Sequence, residues 1–492
     1  MSRHKLIDRL REAASHTLIY GLGSIAQRLL GFVLIPLYTT YYSSETYGAL
    51  TLLTLAGTMA GTIFYFGASS ALSRSFFDYD DAGQRRVVVS TSFYITITGA
   101  VLQVATGILA GPLLSRVLFS TTDYSMHVAL ALAGSAFTFL NGLFFVVLRF
   151  ERKSVQVVVL NLLSLVMTTA LVTTLLVKMQ LGLMAPLLGT LASEAVVLVA
   201  LATMNRRMVG AAISRSELAL QLKFGIPQIG VGLAYYALDS VDRLMIGKYA
   251  SLSDVGIYSL GYKMGMVIHI LFILPFSQIW APMRMQYRKD PVAKDLSRLI
   301  LTYYFVIGGI ATVGVSMFAR QLVGLFVGRS EYLESFQVIP LIMFGHLCYG
   351  AVNIVDAGIY FERKAIYHVC IFTGTVLFNL ALNYLLVPRF GYMAAAWSKA
   401  ASFLLLIVAV HLVARRFHPL IVERCRLVII ATSSIAVLTA GSIFNPLSLA
   451  LAIAVKVALL TGLVAGWATF LLTDRERKGL RSLIAKRDRV SS

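Results

Sequence analysis

The sequence predicts an all-α, polytopic membrane protein of about 14 transmembrane helices. Its mean hydropathy of +0.78 and its 58% of apolar residues over 492 positions exceed those of an ordinary water-soluble globular protein. Apolar runs of about 20 residues recur along the chain, and a helix of that length crosses a hydrocarbon core of roughly 30 Å. The runs lack the apolar/polar alternation of a transmembrane β-barrel, so they indicate helices.

Fourteen segments have this length and composition, and the gaps between them leave no room for a large soluble domain. The first segment follows a charged start, Arg3 to Glu12, without an Ala-x-Ala cleavage motif. We therefore expect it to be a retained helix and not a signal peptide. The predicted spans are 14–38, 47–71, 87–110, 125–148, 155–177, 182–204, 222–247, 255–281, 297–318, 335–359, 365–387, 391–413, 426–444 and 448–472.

The net charge of +20 is distributed unevenly between the two sides of these spans. With the N-terminus in the cytoplasm, the segments on that side carry 32 of the 43 Lys and Arg residues, and the outer segments carry six. This bias follows the positive-inside rule and predicts that both termini are cytoplasmic. We attribute the basic charge to topology and to contact with lipid headgroups, and not to nucleic-acid binding.

The tetrad Phe-Glu-Arg-Lys occurs twice, in RFERKSV (149–155) and in YFERKAI (360–366). Both copies lie in predicted cytoplasmic loops, after the fourth and the tenth span. Each is followed by an apolar helix, a short outer turn with a glycine (Gly182 or Gly391) and a helix rich in small residues. This pattern predicts an internal duplication in which the tetrads are equivalent cytoplasmic elbows.

The starts of the two halves also correspond. YYSSETYGALTLL (41–53) and YASLSDVGIYSLG (249–261) each combine a polar outer turn, an acidic residue and a glycine that leads the next helix. Because each half has an even number of helices, the two pseudosymmetric six-helix lobes have parallel topology. The predicted parts are an N-terminal lobe (1–205), a basic cytoplasmic linker (206–221), a C-terminal lobe (222–415), an accessory pair of two extra C-terminal helices (416–472) and a basic cytoplasmic tail (473–492).

One stretch of the second half, 222–265, carries a specific pattern. It has a Phe-Gly-x-Pro start at Phe224, an Asp-Arg pair at Asp242 and Arg243, and a Val-Gly-x-Tyr-Ser helix start at Val255. In this pattern the chain resembles the bacterial polysaccharide flippases, which transport O-antigen and exopolysaccharide units. They belong to the multidrug/oligosaccharidyl-lipid/polysaccharide exporter superfamily.

Two further stretches support the resemblance: 41–53 is similar to the family's helix 1–2 junction, and 379–402 to its helix 11–12 junction. At the latter, Ala394 replaces the second glycine of the usual Gly-x-x-Gly-Ala-Ala pattern. The arginine-rich motifs of peptidoglycan-precursor flippases are not found in helix 1 and its loop, which makes that role the weaker choice. The resemblance implies two lobes around a central cavity and transport by alternating access.

Four cations within predicted spans are candidates for substrate contact: Arg28, Arg243, Lys263 and Lys399. A charge at mid-helix costs about 2.5–3.5 kcal/mol, so such residues face a cavity or a partner. In the resembled family they would attract a pyrophosphate or an acidic glycan, with arginine giving forked contacts and lysine a point charge. The alternatives are an internal ion pair for Arg28, and stems of Lys263 and Lys399 that reach to the outer interface.

Four carboxylates are candidates for coupling transport to H⁺ or Na⁺: Glu194, Asp239, Asp242 and Asp356. Asp239 and Arg243 are four residues apart and share a helix face, so an ion pair is available to them, whereas Asp242 lies on a neighbouring face. One of these carboxylates would carry the coupling proton. Glu194 and Asp356 could instead be partners of a lysine in the other lobe, and the sequence does not choose among these roles.

The predicted function is a flippase of the bacterial inner membrane. It would move undecaprenyl-pyrophosphate-linked oligosaccharide repeat units from the inner to the outer leaflet. Expected partners are the lipid-linked glycan, membrane lipids, a coupling cation and the polysaccharide polymerase machinery, with no cofactor and no metal. One alternative is a multidrug/cation antiporter of the same superfamily. The other is a membrane glycosyltransferase or polymerase, suggested by a D-x-D pattern in Asp78–Asp81 that could chelate a divalent cation.

Overall fold

The computed structural model describes residues 32–287, 293–362, 364–443 and 449–471. In these ranges the regular structure is helical, without strands. The chain divides into two compact units. The first comprises the described residues up to Leu260 with Phe326–Ser335 and Phe372–Lys399, and the second comprises Gly261–Leu325, Phe336–Ile371 and the described residues from Ala400 onward. The lobe boundaries given above remain predictions.

Ten α-helices begin among the described residues of the first unit, and α6 lies at its centre. They are α1 (Leu34–Tyr41), α2 (Ser44–Phe64), α3 (Ala68–Ser75), α4 (Ala82–Leu109), α5 (Gly111–Phe119), α6 (Ser125–Phe150), α7 (Ser154–Thr173), α8 (Met184–Met204), α9 (Arg215–Tyr249) and α10 (Leu252–Gly265). Helix α6 packs against α2, α4, α7 and α8. Its fully buried Leu143 and Leu148 belong to two apolar clusters on its different sides, as expected for a helix surrounded by others.

The second unit is organised around α12. Its helices are α11 (Leu274–Gln286), α12 (Ala293–Met317), α13 (Ala319–Phe326), α14 (Val338–Val355), α15 (Ala357–Phe361), parts of α16 (Ala365–Ala414), α17 (Arg424–Ile443) and α18 (Leu449–Phe470). Helix α12 packs against α14, α17 and α18. Val313, Ile430 and Trp467 belong to the apolar cluster that joins α12 to the predicted accessory pair.

Eleven described helical segments are long and apolar enough to cross a membrane. They account for twelve of the predicted spans, because the segment Ile366–Ala414 covers both 365–387 and 391–413. The predicted span 222–247 lies within α9, which is less apolar than these eleven segments. Most of the first predicted span, 14–38, lies outside the described residues. The prediction of a polytopic all-α protein is confirmed.

The two turns predicted at Gly182 and Gly391 are present in the structure. Gly182 has a φ of 52° and Gly391 a φ of 59°, a left-handed conformation that favours glycine because it has no Cβ. Gly391 interrupts α16 with a ψ of −146°, so α16 consists of two helices joined at a sharp bend.

Helix α9 is longer than the predicted span it contains, because it starts at Arg215 within the predicted linker. Ser214 caps its first turn by accepting the N–H of Glu217 at 3.3 Å. The Tyr79 hydroxyl donates to the Glu217 carboxylate at 2.5 Å, and this hydrogen bond raises the pKa of Tyr79. The second half of the linker is therefore part of a helix that is held to the rest of the first unit.

Candidate functional site

The structure describes seven of the eight candidate residues, and Arg28 lies outside the described ranges. The seven residues are divided between the two units, and each unit is considered by itself. The first unit holds Glu194, Asp239, Asp242, Arg243 and Lys399, and the second holds Lys263 and Asp356.

A buried ion pair joins Asp242 of α9 to Lys399 of α16. The Lys399 Nζ lies 2.9 Å from Asp242 Oδ2, and both side chains are fully buried. Lys399 also donates to the backbone carbonyl of Asp239 at 3.0 Å and to that of Leu238. Three acceptors thus match the three N–H groups of the ammonium. The carboxylate and the two carbonyl dipoles replace the hydration that the ammonium loses on burial.

The Asp242 carboxylate has a second donor and one unused oxygen. The hydroxyl of Tyr258, on α10, donates to Oδ2 at 2.6 Å. The other oxygen, Oδ1, is buried and accepts no hydrogen bond within the described residues. The carboxylate is therefore held from two helices through one of its oxygens.

Arg243 lies next to this ion pair and is itself 7% exposed. Its Nη1 donates to the backbone carbonyl of Asp239 at 3.3 Å, and its guanidinium lies 5.8 Å from the ring centroid of Tyr258. The i,i+4 spacing of Asp239 and Arg243 was expected to allow an ion pair, and the structure adds this contact with the main chain of Asp239. Asp239, Asp242, Arg243 and Lys399 thus form one cluster.

The partnership of Asp242 with Lys399 was missed by the sequence analysis. Asp242 was expected as a candidate for coupling, and Lys399 as a cation in contact with substrate whose stem could instead reach the outer interface. The available signal was that both residues belong to the two stretches that carry the family resemblance, 222–265 and 379–402. Residues of two such stretches are candidates for mutual contact.

Glu194 of α8 is held by neutral donors from two other helices. Asn141 of α6 donates through Nδ2 to Glu194 Oε2 at 2.7 Å, and Ser164 of α7 donates to Oε1 at 3.0 Å. Asn141 also donates to the backbone carbonyl of Glu194 at 2.9 Å. The Asn141 side chain thus holds both the main chain and the carboxylate of Glu194 in place. Both carboxylate oxygens accept from uncharged groups.

Asp356 of the second unit forms a buried ion pair with Arg284 of α11. Arg284 Nη1 lies 2.5 Å from Asp356 Oδ1 and also donates to the backbone carbonyl of Asn353 at 2.8 Å. The guanidinium lies 4.2 Å from the ring centroid of Tyr360. His368 of α16 places Nε2 3.6 Å from Asp356 Oδ2. A lysine of the other lobe was the expected alternative partner of Asp356, and the structure provides an arginine of the same unit.

Lys263 differs from these paired charges. It is partly exposed near the end of α10, and its ammonium makes no hydrogen bond or ion pair with any residue that the structure describes. Among the candidate cations that the structure describes, Lys263 is the one without such a partner in those ranges.

The matching junctions 41–53 and 249–261 contact each other within the first unit. Ser43 and Ser251 cap α2 and α10 alike, accepting the N–H of the third following residue at 3.2 and 3.0 Å. A Cβ added to Gly48 would lie 3.0 Å from the backbone N of Gly256, and one added to Gly256 would lie 3.2 Å from that of Gly48. The two helix starts therefore cross at backbone contact, through the glycine that each repeat carries at the same position.

Glu331, which was not among the candidate residues, binds to the start of α2 at this crossing. Its carboxylate accepts the N–H and the hydroxyl of Ser44, both at 3.1 Å. The Ser44 hydroxyl also lies 2.7 Å from that of Ser253, at the start of α10. An acidic side chain thus sits at the N-terminus of α2, where the helix dipole favours it.

The D-x-D pattern of Asp78–Asp81 forms a helix start. Asp81 caps α4 by accepting the N–H of Gln84 at 2.8 Å, and Asp80 Oδ1 lies 3.8 Å from Arg85 Nη2. Helix capping accounts for Asp81 without a bound cation.

Comparisons with known proteins agree with this architecture. The family model described as polysaccharide biosynthesis protein matches residues 13–287, more than half of the chain. No curated protein matches the sequence. The chain is similar in structure to the lipid II flippase MurJ in an inward closed conformation, with a TM-score of 0.76 at 12% identity over 93% of this chain and 100% of that one.

Two multidrug transporters are also similar in structure. An inward-facing MATE family transporter of the MOP superfamily gives a TM-score of 0.60 at 16% identity, covering 82% of this chain and 96% of its own. A Vibrio cholerae MATE transporter gives 0.57 at 13% identity, covering 84% and 97%. At these identities the likeness is one of fold. The chain therefore belongs to the polysaccharide biosynthesis protein family and has the polytopic helical fold of MurJ and MATE transporters.

Proposed function

We propose that this protein is a flippase of the bacterial inner membrane that moves undecaprenyl-pyrophosphate-linked oligosaccharide repeat units from the inner to the outer leaflet. The observation that carries the proposal is the family match over residues 13–287 on a chain whose fold is that of a lipid-linked-precursor flippase. The fold likeness does not assign lipid II as the substrate. The product would be a surface or secreted polysaccharide, and the activity is transport without a catalytic step.

The substrate pyrophosphate would be attracted by cations inside the membrane. We assign this contact to Arg28, Arg243 and Lys263. Lys263 makes no hydrogen bond or ion pair with a described residue. Arg243 is included because its guanidinium belongs to the cluster around Asp242, 5.8 Å from the ring centroid of Tyr258. Lys399 is assigned a different role, because its three donors are satisfied by Asp242 and two carbonyls. It would fix the charge and position of Asp242.

We assign the coupling proton to Glu194 in preference to the other candidate carboxylates. Its hydrogen bonds come from the amide of Asn141 and the hydroxyl of Ser164, so protonation breaks no ion pair. Protonation of Asp242 or Asp356 would leave the charge of Lys399 or Arg284 buried without its partner. Coupling to Na⁺ is the competing form of this proposal.

Gene deletion tests the function. We expect loss of a surface or secreted polysaccharide and accumulation of lipid-linked repeat units on the cytoplasmic side. Complementation with the wild-type chain should restore export. Intact glycan combined with lost drug resistance would contradict the proposal and favour the multidrug antiporter.

Arg28 provides a test of substrate contact. We expect Arg28→Ala to abolish glycan export at normal membrane abundance, and Arg28→Lys to restore it only in part, because an ammonium does not reproduce a forked contact. Low abundance with normal export per molecule would instead make Arg28 half of a structural ion pair. Measurement of abundance and export on the same cells separates these two outcomes.

The proposed topology places both termini and both Phe-Glu-Arg-Lys elbows in the cytoplasm. Single cysteines at 151–153 or 362–364 should be labelled by an impermeant maleimide only after the inner membrane is opened. Labelling from the periplasm in intact spheroplasts would contradict the orientation.

A further inference from the structure

A basic cavity lies in the second unit between the end of α16 and the start of α17. Its volume is about 470 Å³. The basic residues that line it are His411, Arg415, Arg416 and Arg424, and the intervening loop 419–422 supplies an apolar wall. The cavity thus combines a cluster of positive charge with an apolar surface.

The three guanidinium groups of this cavity have no partner among the residues that the structure describes. The side chains of Arg415, Arg416 and Arg424 are exposed and make no hydrogen bond or ion pair with any described residue. Three like charges around one cavity repel each other, and an anion bound among them relieves that repulsion. Fifteen guanidinium N–H donors are thus available to a phosphate, for which arginine is the preferred side chain.

The acidic residue of the same loop is already engaged elsewhere. Glu423 accepts from the hydroxyl of Thr302 at 2.8 Å and from Arg426 Nη1 at 3.0 Å. Arg298 Nε lies 3.9 Å from its other oxygen. The Glu423 carboxylate therefore interacts with residues of α12 and of α17, and it does not pair with the arginines of the cavity.

The surroundings of the cavity are apolar and exposed. Leu412 on α16, Ile421 in the loop and Val428 on α17 are 43%, 57% and 58% exposed. Such side chains next to arginines are typical of the boundary between headgroups and acyl chains. A soluble phosphate would make no use of this apolar rim, whereas a phospholipid would cover it.

We propose that this cavity binds the phosphate headgroup of an anionic membrane phospholipid. Arg415, Arg416 and Arg424 hold the phosphate oxygens, His411 faces them from the last turns of α16, and the acyl chains lie along the exposed apolar side chains. The lipid bridges α16 to α17 and so ties the accessory helix pair to the preceding helix. The proposal is independent of the transported substrate.

The test uses the full chain purified in a neutral detergent and titrated with phosphatidylglycerol, with phosphatidylcholine as the zwitterionic comparison, in native mass spectrometry. We expect phosphatidylglycerol to remain bound to the wild-type chain. The triple variant Arg415→Gln, Arg416→Gln, Arg424→Gln should bind it at least ~10-fold more weakly, because each basic side chain near a surface contributes to headgroup affinity. The matched control is Arg206→Gln, Arg207→Gln, Arg215→Gln, which removes the same charge from exposed arginines outside the cavity.

Equal phosphatidylglycerol binding by the triple variant and the wild type would overturn the proposal, as would equal binding of both lipids by the wild type. Inorganic pyrophosphate is added as a competitor to distinguish the source of the phosphate. Displacement of the lipid by millimolar pyrophosphate from wild type, with no preference for the lipid-borne group, would assign the cavity to a soluble anion and overturn the lipid assignment. If the triple variant does not fold, the single variant Arg416→Gln is titrated, and unchanged affinity there counts against the proposal.

Discussion

The two Phe-Glu-Arg-Lys elbows share a backbone conformation and a hydrogen bond at their lysines. The N–H of Lys153 donates to the carbonyl of Leu148 at 2.9 Å, and that of Lys364 donates to the carbonyl of Ile359 at 3.1 Å. Lys153 has φ and ψ of −85° and 53°, and Lys364 has −91° and 55°. Such a bond, from a residue to the carbonyl five before it, closes a helix C-terminus with a Schellman turn. The repeated tetrad is therefore a repeated way to end one helix and start the next.

The carboxylates of the two repeats differ far more than their elbows do. In the first repeat Glu194 is held by an amide and a hydroxyl, whereas in the second Asp242 is held by a lysine and a tyrosine. The backbone turn needs only a few local hydrogen bonds, so it survives changes of sequence around it. A buried carboxylate depends instead on residues that other helices bring to it. The comparison predicts that the second site is fixed in charge while the first can change its protonation.

The largest expected effect comes from breaking the ion pair of the second repeat. Lys399→Met leaves Asp242 buried and uncompensated, which should lower the free energy of unfolding by about 3–5 kcal/mol. Adding Asp242→Asn should recover most of this loss, because the uncompensated charge is removed. Unfolding midpoints of the two single variants and the double variant in detergent measure the coupling. A double variant as unstable as the sum of the singles would mean that the two residues act independently.

The contact between the two helix starts should give the next largest effect. Gly48→Ala and Gly256→Ala each place a Cβ against the backbone of the other helix, and overpacking of this kind costs about 1–3 kcal/mol. Gly230→Ala in α9 is the matched control, since nothing lies within 4 Å of its added Cβ. There the gain in helix propensity should raise stability by up to about 1 kcal/mol. The unfolding temperature should thus fall for Gly48→Ala and Gly256→Ala and rise for Gly230→Ala. Equal shifts in all three variants would contradict the backbone contact between α2 and α10.

The protonation of the first repeat is tested by Glu194→Gln. The amide keeps an acceptor for Asn141 or Ser164, so the stability change should stay within about 1 kcal/mol. If Glu194 carries the proton, this variant should be inserted normally and should lose the dependence of glycan export on the proton gradient. Ser164→Ala, which removes one donor and no titrating group, is the control. Normal gradient-dependent export by Glu194→Gln would assign the coupling to another residue.

The smallest effect is expected at the first elbow. Arg152 has a φ of 59°, a left-handed conformation that costs an L-residue about 1–2 kcal/mol and costs glycine little. Arg152→Gly should therefore raise the free energy of unfolding slightly, by less than about 1 kcal/mol once the greater freedom of unfolded glycine is included. Lys153→Gly, at a φ of −85°, should lower it instead. Destabilisation by both changes would show that the arginine side chain matters more than the backbone.

Features that depend on local pattern follow from the amino-acid sequence alone. The apolar runs gave the helices, and the two glycine turns at Gly182 and Gly391 appeared at their predicted positions. The duplication was visible because equivalent turns keep equivalent residues, such as Ser43 and Ser251, Gly48 and Gly256. Length and hydropathy suffice here because a helix in a bilayer must satisfy its own backbone.

Which buried charges meet depends on how the helices pack against each other. Nothing in the periodicity of α9 indicates that Asp242 faces Lys399, or that Arg284 rather than a lysine pairs with Asp356. A helix face is known from the sequence to within a residue or two, whereas an ion pair requires two atoms within about 4 Å on helices far apart in the chain. That choice depends on the packing and bending of each helix, including the kink of α16 at Gly391. The partners of a buried charge are therefore a property of the packed fold.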